Sequence, residues 1–151
     1  MTPSWILAAL HLMGLAIGLP AVWARGRALR RPLDAEGLKA VFRADAWWGI
    51  AFGVWVVTGL LRAFGPFEKG AAYYMHNHLF FTKIGLLAVI LALEIAPMVA
   101  LIRWRMRAGR GEPVDTRRAP AFARISDVQL LLVLGMVVAA TGMARGHGML
   151  R

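Results

Sequence analysis

The sequence predicts an all-α integral membrane protein, an antiparallel four-helix bundle in a single transmembrane domain of residues 1–151. Three observations predict this class. Hydrophobic residues make up 59% of the chain, whereas roughly half is usual in a soluble domain. The charged residues fall into clusters separated by long, almost uncharged runs. Four such runs are long enough to cross a hydrocarbon core of about 30 Å, and they lie at residues 4–24, 46–62, 77–102 and 125–144.

The first two runs carry the flanking residues of membrane spans. No basic residue precedes residues 4–24 and a basic cluster follows them, which is the reverse of the charge order in a cleaved signal peptide. The second run has the interfacial anchors Trp47 and Trp48 near its start and ends at Arg62, which can snorkel. Residues 33–44 carry apolar side chains at helical spacing, and they are predicted to form an interfacial helix or an extension of the second span.

Charged residues and a proline interrupt the third run. Lys83 and Glu94 lie within the third run and Trp104 follows its end. Pro97 removes a backbone donor deep in the run, so the third helix is predicted to kink there or to lose its last turns.

Basic residues are distributed unevenly between the two ends of the spans. Thirteen lie around the connections that follow the first and third runs, against four at the opposite ends. The positive-inside rule therefore predicts that those two connections are cytoplasmic, and that both termini and the loop at residues 65–76 are on the outer, periplasmic side of a bacterial inner membrane. Because this placement accounts for the net charge of +10, the lipid bilayer is the predicted partner and nucleic acid is not.

Three ionisable residues lie inside the spans: His11, Lys83 and Glu94. Burying such a group in hydrocarbon costs free energy, so each is expected to have a structural or functional role. In an antiparallel bundle, His11 of the first span and Lys83 of the third reach a similar depth. His76, Lys83 and Glu94 share one face of the third span, which indicates a site or a proton path. The alternative is that Lys83 snorkels to the interface and that Glu94 pairs with Arg124 or another inner arginine.

Two glycines share the helix face of His11. Gly14 and Gly18 follow it at three and seven residues, and this groove could accommodate a flat ring such as a porphyrin close to the backbone. The alternative is that Gly14 and Gly18 form a helix-packing motif, which would also permit a homo-oligomer.

Further polar residues lie near the ends of the spans. Asp45 is expected to cap the second helix or to pair with an inner arginine. Arg62 and Arg145 could hold an anionic group such as a propionate, although each could instead be a snorkelling end charge.

Histidine and methionine residues at the predicted outer face suggest a metal site. Thioether and imidazole ligands suit Cu(I), although methionine is also an ordinary apolar filler. The candidate ligands are His11, Met13, Met75, His76, His78, Met143, His147 and Met149. The chain has no cysteine, which excludes disulfides, iron–sulfur clusters and thiolate haem ligation. It also has no phosphate-binding glycine loop, zinc spacing or catalytic serine motif.

Several short sequence segments carry resemblances to known families. Residues 69–86 (KGAAYYMHNHLFFTKIGL), together with RADAWWG at 43–49 and IRWR at 102–105, resemble an uncharacterised bacterial family of small four-helix membrane proteins. The chain is also distantly similar to the haem-containing membrane protoporphyrinogen oxidase and to the copper-resistance membrane domain, through Ala9-Leu10-His11 and Lys83-Ile84. This second resemblance implies that His11 is an axial haem ligand and that Lys83 is essential for catalysis.

Together these observations predict a b-type haem-binding membrane protein that takes part in electron transfer or oxidoreduction. His11 would ligate the metal, and Lys83, His76 or His78 would supply the opposite ligand. Gly14 and Gly18 would make room for the ring, Arg62 or Arg145 would hold its propionates, and a quinone or porphyrin-type molecule would be the redox partner. The alternatives are a copper- or other metal-handling protein, with His11 and His76 among the ligands, and a structural or assembly protein without a cofactor.

Overall fold

A computed structural model of the chain describes residues 2–66 and 75–149. In these ranges the protein is built from four long helices and contains no β-strand beyond one isolated bridge. The helices are α1 (Pro3–Ala28), α2 (Ala35–Phe64), α3 (His78–Gly109) and α4 (Ala119–Ala144). All four are long and apolar enough to cross a membrane, so the predicted all-α membrane class is confirmed, whereas the sidedness of the termini stays a prediction.

The helices continue beyond the apolar runs that predicted them. α2 begins at Ala35, where the Asp34 side chain accepts a hydrogen bond of 2.8 Å from the Gly37 amide and caps the helix. The segment before the second run is therefore an extension of α2. α3 passes through Pro97 and ends only at Gly109, so the proline does not terminate it. Arg25, which lies just past the first apolar run, belongs to α1.

The four helices form an antiparallel bundle with one loosely closed side. α1 packs against α2 and α4, and α4 packs against α3. Within the described ranges, α1 and α3 occupy diagonal corners without backbone contact, and the backbones of α2 and α3 come close at very few positions. We call the end where α1 and α3 finish the arginine end, and the opposite end the histidine end.

The connections at the two ends are held by polar contacts. At the arginine end, hydrogen bonds from Arg117 lower the pKa of Asp115 to about 2, so this pair in the α3–α4 connection stays ionised at neutral pH. At the histidine end, the tail after α4 is tied to the start of α3. The side-chain amide of Asn77 donates to the His147 carbonyl at 3.0 Å, and the backbone N–H of His78 donates to the Gly148 carbonyl at 2.9 Å.

Two glycines allow the close approach of α1 to α2. Gly14 and Gly18 are both buried against α2, so the structure supports the packing alternative for this pair. Gly49 and Gly53 of α2, by contrast, face open space.

Gly14→Ala is expected to lower the free energy of unfolding by about 1–3 kcal/mol, the usual cost of overpacking. A Cβ at Gly14 would lie 3.0 Å from the Ala51 carbonyl oxygen and 3.1 Å from the Trp55 backbone nitrogen. Backbone atoms cannot move aside as a side chain can. Gly18→Ala is the matched control, because its Cβ would meet its nearest neighbours at 3.6 Å. Thermal unfolding in detergent compares the two variants, and equal stability would contradict this packing.

Candidate functional site

A cavity of about 500 Å³ lies in the half of the bundle nearest the histidine end. All four helices contribute to its wall, which is mostly apolar. It lies between an apolar cluster at the middle of the bundle, which includes Trp55, Ile90 and Val133, and a smaller cluster of Ala63, Phe80 and Met143 at the histidine end. The polar side chains on the wall include His11, Arg62, Lys83 and Thr141.

His11 is held in one orientation at the wall of the cavity. Its Nδ1 lies 3.0 Å from the Trp55 carbonyl oxygen and 3.1 Å from the Thr58 hydroxyl, and its ring stacks on Trp55 with centroids 5.8 Å apart. Because a carbonyl can only accept, Nδ1 carries the proton in the neutral ring, and Nε2 is then the basic nitrogen. The Thr58 hydroxyl donates to the Val54 carbonyl at 2.7 Å, which leaves its oxygen free to accept from His11.

A glycine on α2 makes room for this histidine. A Cβ at Gly59 would lie 3.1 Å from the His11 Cε1 atom, so any larger residue there would press on the ring. The sequence did not indicate this role, because Gly59 is one of several glycines in an apolar run, and only the register of α1 on α2 distinguishes it.

Two basic side chains line the cavity, from neighbouring helices. They are Lys83 of α3 and Arg62 of α2. The wall residues include no aspartate or glutamate among the described ranges.

The structure brings together three of the predicted site residues and separates the others. His11, Lys83 and Arg62 line one cavity, and α1 and α3 place His11 and Lys83 on diagonal helices. The remaining candidates lie off the cavity wall: Gly14 and Gly18 pack on α2, His76 and His78 are exposed at the start of α3, and Arg145 is exposed after α4.

The metal site suggested by the histidine and methionine residues stays a prediction. No group of three or more histidine, aspartate or glutamate side chains is arranged to hold a metal ion in the described part of the chain. The segment 69–74, which carries part of the motif that supports the family resemblance, lies outside the described residues.

A second polar site lies in the arginine half of the bundle, around the fully buried side chain of Arg25. Its guanidinium donates to both carboxylate oxygens of Glu94, at 2.7 and 3.0 Å, and to Asp45 at 2.9 Å. It also donates to Ser126 at 3.1 Å and to Gln129 at 2.7 Å. Arg25 therefore links α1 to all three other helices.

The acidic partners of Arg25 are satisfied by further donors. Glu94 also accepts from Gln129 at 2.7 Å and from the Trp48 indole at 3.1 Å, and Asp45 accepts from Arg105 at 2.8 Å. No buried polar side-chain atom in the described ranges lacks a hydrogen bond. The network holds two cations and two anions and is neutral overall, which is what burial of charge in a bilayer requires.

The sequence indicated the acids of this network but not its centre. Pairing with an inner arginine was one of two alternatives for Asp45 and for Glu94, and both acids pair with Arg25. The signal for Arg25 was its position seven residues after Gly18, on the same buried face of α1. Because Arg25 is next to a cluster of basic residues, the sequence instead suggested that it belongs to the loop after the first span.

Comparison with known proteins supports the membrane class and gives no activity. Residues 3–148 match the model of a family described as a predicted membrane protein (DUF2214). No curated protein and no solved structure matches the chain. The resemblance to an uncharacterised membrane family is thereby confirmed, whereas the similarity to the haem oxidase and the copper-resistance domain stays a prediction.

Proposed function

Because the chain belongs to the DUF2214 family of membrane proteins, whose description states no activity, we propose from its cavity that it is a b-type haem-binding protein of electron transfer or oxidoreduction. One observation carries the proposal: Nδ1 of His11 is held on the Trp55 carbonyl at the wall of the cavity. Histidines that ligate metals almost always donate their other ring N–H to such a partner, which fixes the ring and raises the basicity of the ligating nitrogen.

The other wall residues fit the chemical needs of a haem. The wall is mostly apolar, which suits the macrocycle, and it carries the basic side chains of Arg62 and Lys83, which are of the kind that binds carboxylates. Lys83 lies on the helix diagonal to that of His11, which supports it as the residue that would hold the haem iron from the other side when its amine is uncharged. The haem itself would supply one-electron redox chemistry.

The redox partner follows from the setting. A cavity within four membrane spans favours a lipid-soluble reductant, such as a quinol or a porphyrin-type molecule. We place this reaction in the bacterial inner membrane. The protein would then belong to the class of protoporphyrinogen-type oxidases.

The absorption spectrum of the purified protein tests this proposal. The protein is expressed with added haem precursor, extracted in mild detergent and recorded oxidised and then dithionite-reduced. We expect a Soret band that sharpens on reduction, and we expect His11→Ala to lose or shift it. His78→Ala is the matched control, because His78 is exposed and lies off the cavity wall.

Two results would overturn the haem proposal. One is a colourless protein despite added haem, and the other is a spectrum that His11→Ala leaves unchanged. Copper analysis of the same samples, with His76→Ala as a variant, would then test the metal-handling alternative. Tolerance of His11→Ala without any bound metal would favour a structural role.

A further inference from the structure

We propose that the arginine end of the bundle binds the phosphate of an anionic phospholipid, in a second cavity between the end of α3 and the start of α4. The proposal is independent of the haem proposal, since no described residue lines both cavities. This arginine-end cavity has a volume of about 370 Å³. Its wall consists of Ala100 and Trp104 of α3, Asp115 and Arg117 of the connection, and Arg118 and Phe122 at the start of α4.

The wall of the arginine-end cavity has an apolar side and a charged side. Trp104 and Phe122 form most of the apolar side. Their rings lie 5.9 Å apart at an interplanar angle of 55°, and neither residue is more than 6% exposed. The three charged residues of the wall, by contrast, are all exposed. A cavity with a buried aromatic side and an exposed charged side suits a ligand that has both an apolar and a charged part.

Arg118 is the charged wall residue whose donors are free. Within residues 2–66 and 75–149 its side chain forms no hydrogen bond or ion pair. It also lies directly before the first turn of α4, where the helix dipole makes a positive charge unfavourable and where no acidic side chain offsets it. A bound anion would stabilise this arrangement, and a guanidinium can bind a phosphate through two parallel N–H donors.

Two further arginines add positive charge to the same side of the cavity. Hydrogen bonds from Arg117 lower the pKa of Asp115 to about 2, with a smaller contribution from the charge of Arg107 on α3, so Arg107 also lies near this wall. Asp115 is the one acidic residue of the described wall. Arg107, Arg117 and Arg118 therefore outnumber it, and the excess of positive charge fits an anionic ligand.

The position of the cavity along the spans favours a lipid over a soluble anion. Trp104 lies just after the apolar run of α3, and Phe122 lies just before that of α4, so the cavity is at the depth where head groups meet hydrocarbon. Ala96 lies one turn before Ala100 on the same face of α3. It is exposed, as is the nearby Val99. This apolar surface leads from the cavity toward the middle of the bilayer, where it can hold an acyl chain.

Native mass spectrometry of the purified full chain tests the proposal. The protein is released from detergent micelles after titration with phosphatidylglycerol, or with phosphatidylcholine that has the same acyl chains. The dissociation constant of the first bound lipid is measured in each series. We expect phosphatidylglycerol to bind several-fold more tightly, because its head group has a net negative charge and that of phosphatidylcholine does not.

Two variants test the contribution of Arg118. Arg118→Gln is expected to weaken phosphatidylglycerol binding about tenfold, which is the usual effect of losing a charge-assisted hydrogen bond. Arg124→Gln is the matched control. It removes the same charge from the same helix, at an exposed position off the wall of the cavity, and we expect it to leave the dissociation constant nearly unchanged.

Asp115→Asn tests the same site through a gain of affinity, which a misfolded variant would not show. Asp115 occupies donors of Arg117 at 2.7 and 2.9 Å, and the substitution removes its negative charge. Phosphatidylglycerol is therefore expected to bind several-fold more tightly than to the unchanged protein. Asparagine can still accept the hydrogen bond that the Arg117 backbone N–H donates to Asp115, so the connection keeps this contact.

Four results would overturn the proposal. They are equal affinity for the two lipids, no loss of affinity in Arg118→Gln, an equal loss in Arg124→Gln, and no gain in Asp115→Asn. Glycerol phosphate, which has no acyl chains, distinguishes a lipid from a soluble anion. We expect it not to displace phosphatidylglycerol at equal concentration, because it cannot use the apolar side of the cavity. Displacement would assign the site to a soluble phosphate and overturn the assignment to a lipid.

Discussion

Arg25→Met is expected to destabilise the bundle by about 3–5 kcal/mol, which is the usual cost of removing one partner from a buried ion pair. The substitution would leave Glu94 without its bidentate partner, and would leave Ser126 and Gln129 each without one hydrogen bond. Glu94 would then have to be protonated or remain charged in an apolar setting. Titration with a denaturing detergent, followed by circular dichroism and tryptophan fluorescence, measures the loss.

A surface pair and a double variant provide the controls. Arg30 and Asp127 form an ion pair in which both side chains are nearly half exposed, so Arg30→Met is expected to cost at most about 1 kcal/mol. Arg25→Met combined with Glu94→Leu removes one buried charge of each sign and leaves Asp45 paired with Arg105. It should therefore recover much of the stability that Arg25→Met loses. A cost for Arg25→Met no greater than that for Arg30→Met would contradict the role of the network.

The sequence predicted the spans well because burial in lipid requires long apolar runs, and these are visible without a structure. It predicted the helix ends poorly, because a helix can continue into the interface with charged residues. α2 thus begins at Ala35, eleven residues before the apolar run at 46. The same ambiguity concealed Arg25, whose charge looked like a loop charge until the position of α1 against the other helices was known.

The site residues divide in a similar way. His11 and Lys83 could be selected because an ionisable group in a span needs a reason. Gly59 could not be predicted, since its role depends on the register of α1 on α2. The cavity could not be predicted either, since it depends on how the four helices are spaced. Which arginine pairs with Glu94 also depends on which helices are neighbours. Gly14 and Gly18 were compatible with two roles, and the approach of α2 supports the packing role.

Lys83→Leu is expected to change the spectrum of the haem-bound protein as strongly as His11→Ala does. If Lys83 is the second axial ligand, its removal leaves iron with one strong ligand, and the oxidised protein should change from low spin to high spin. Lys83→Arg should give the same change, because a guanidinium stays protonated and cannot ligate. Absorption and electron paramagnetic resonance spectra of the two variants measure the spin state.

The arginine variant distinguishes ligation from charge pairing. If Lys83 instead holds a carboxylate of the haem, Lys83→Arg should keep both haem affinity and spin state, while Lys83→Leu weakens affinity. His76→Ala is the matched control, because His76 is exposed and lies off the cavity wall. A spin change in His76→Ala with none in Lys83→Leu would move the second ligand from the cavity to the start of α3. In that case the placement of Lys83 on the helix diagonal to that of His11 would not serve haem ligation.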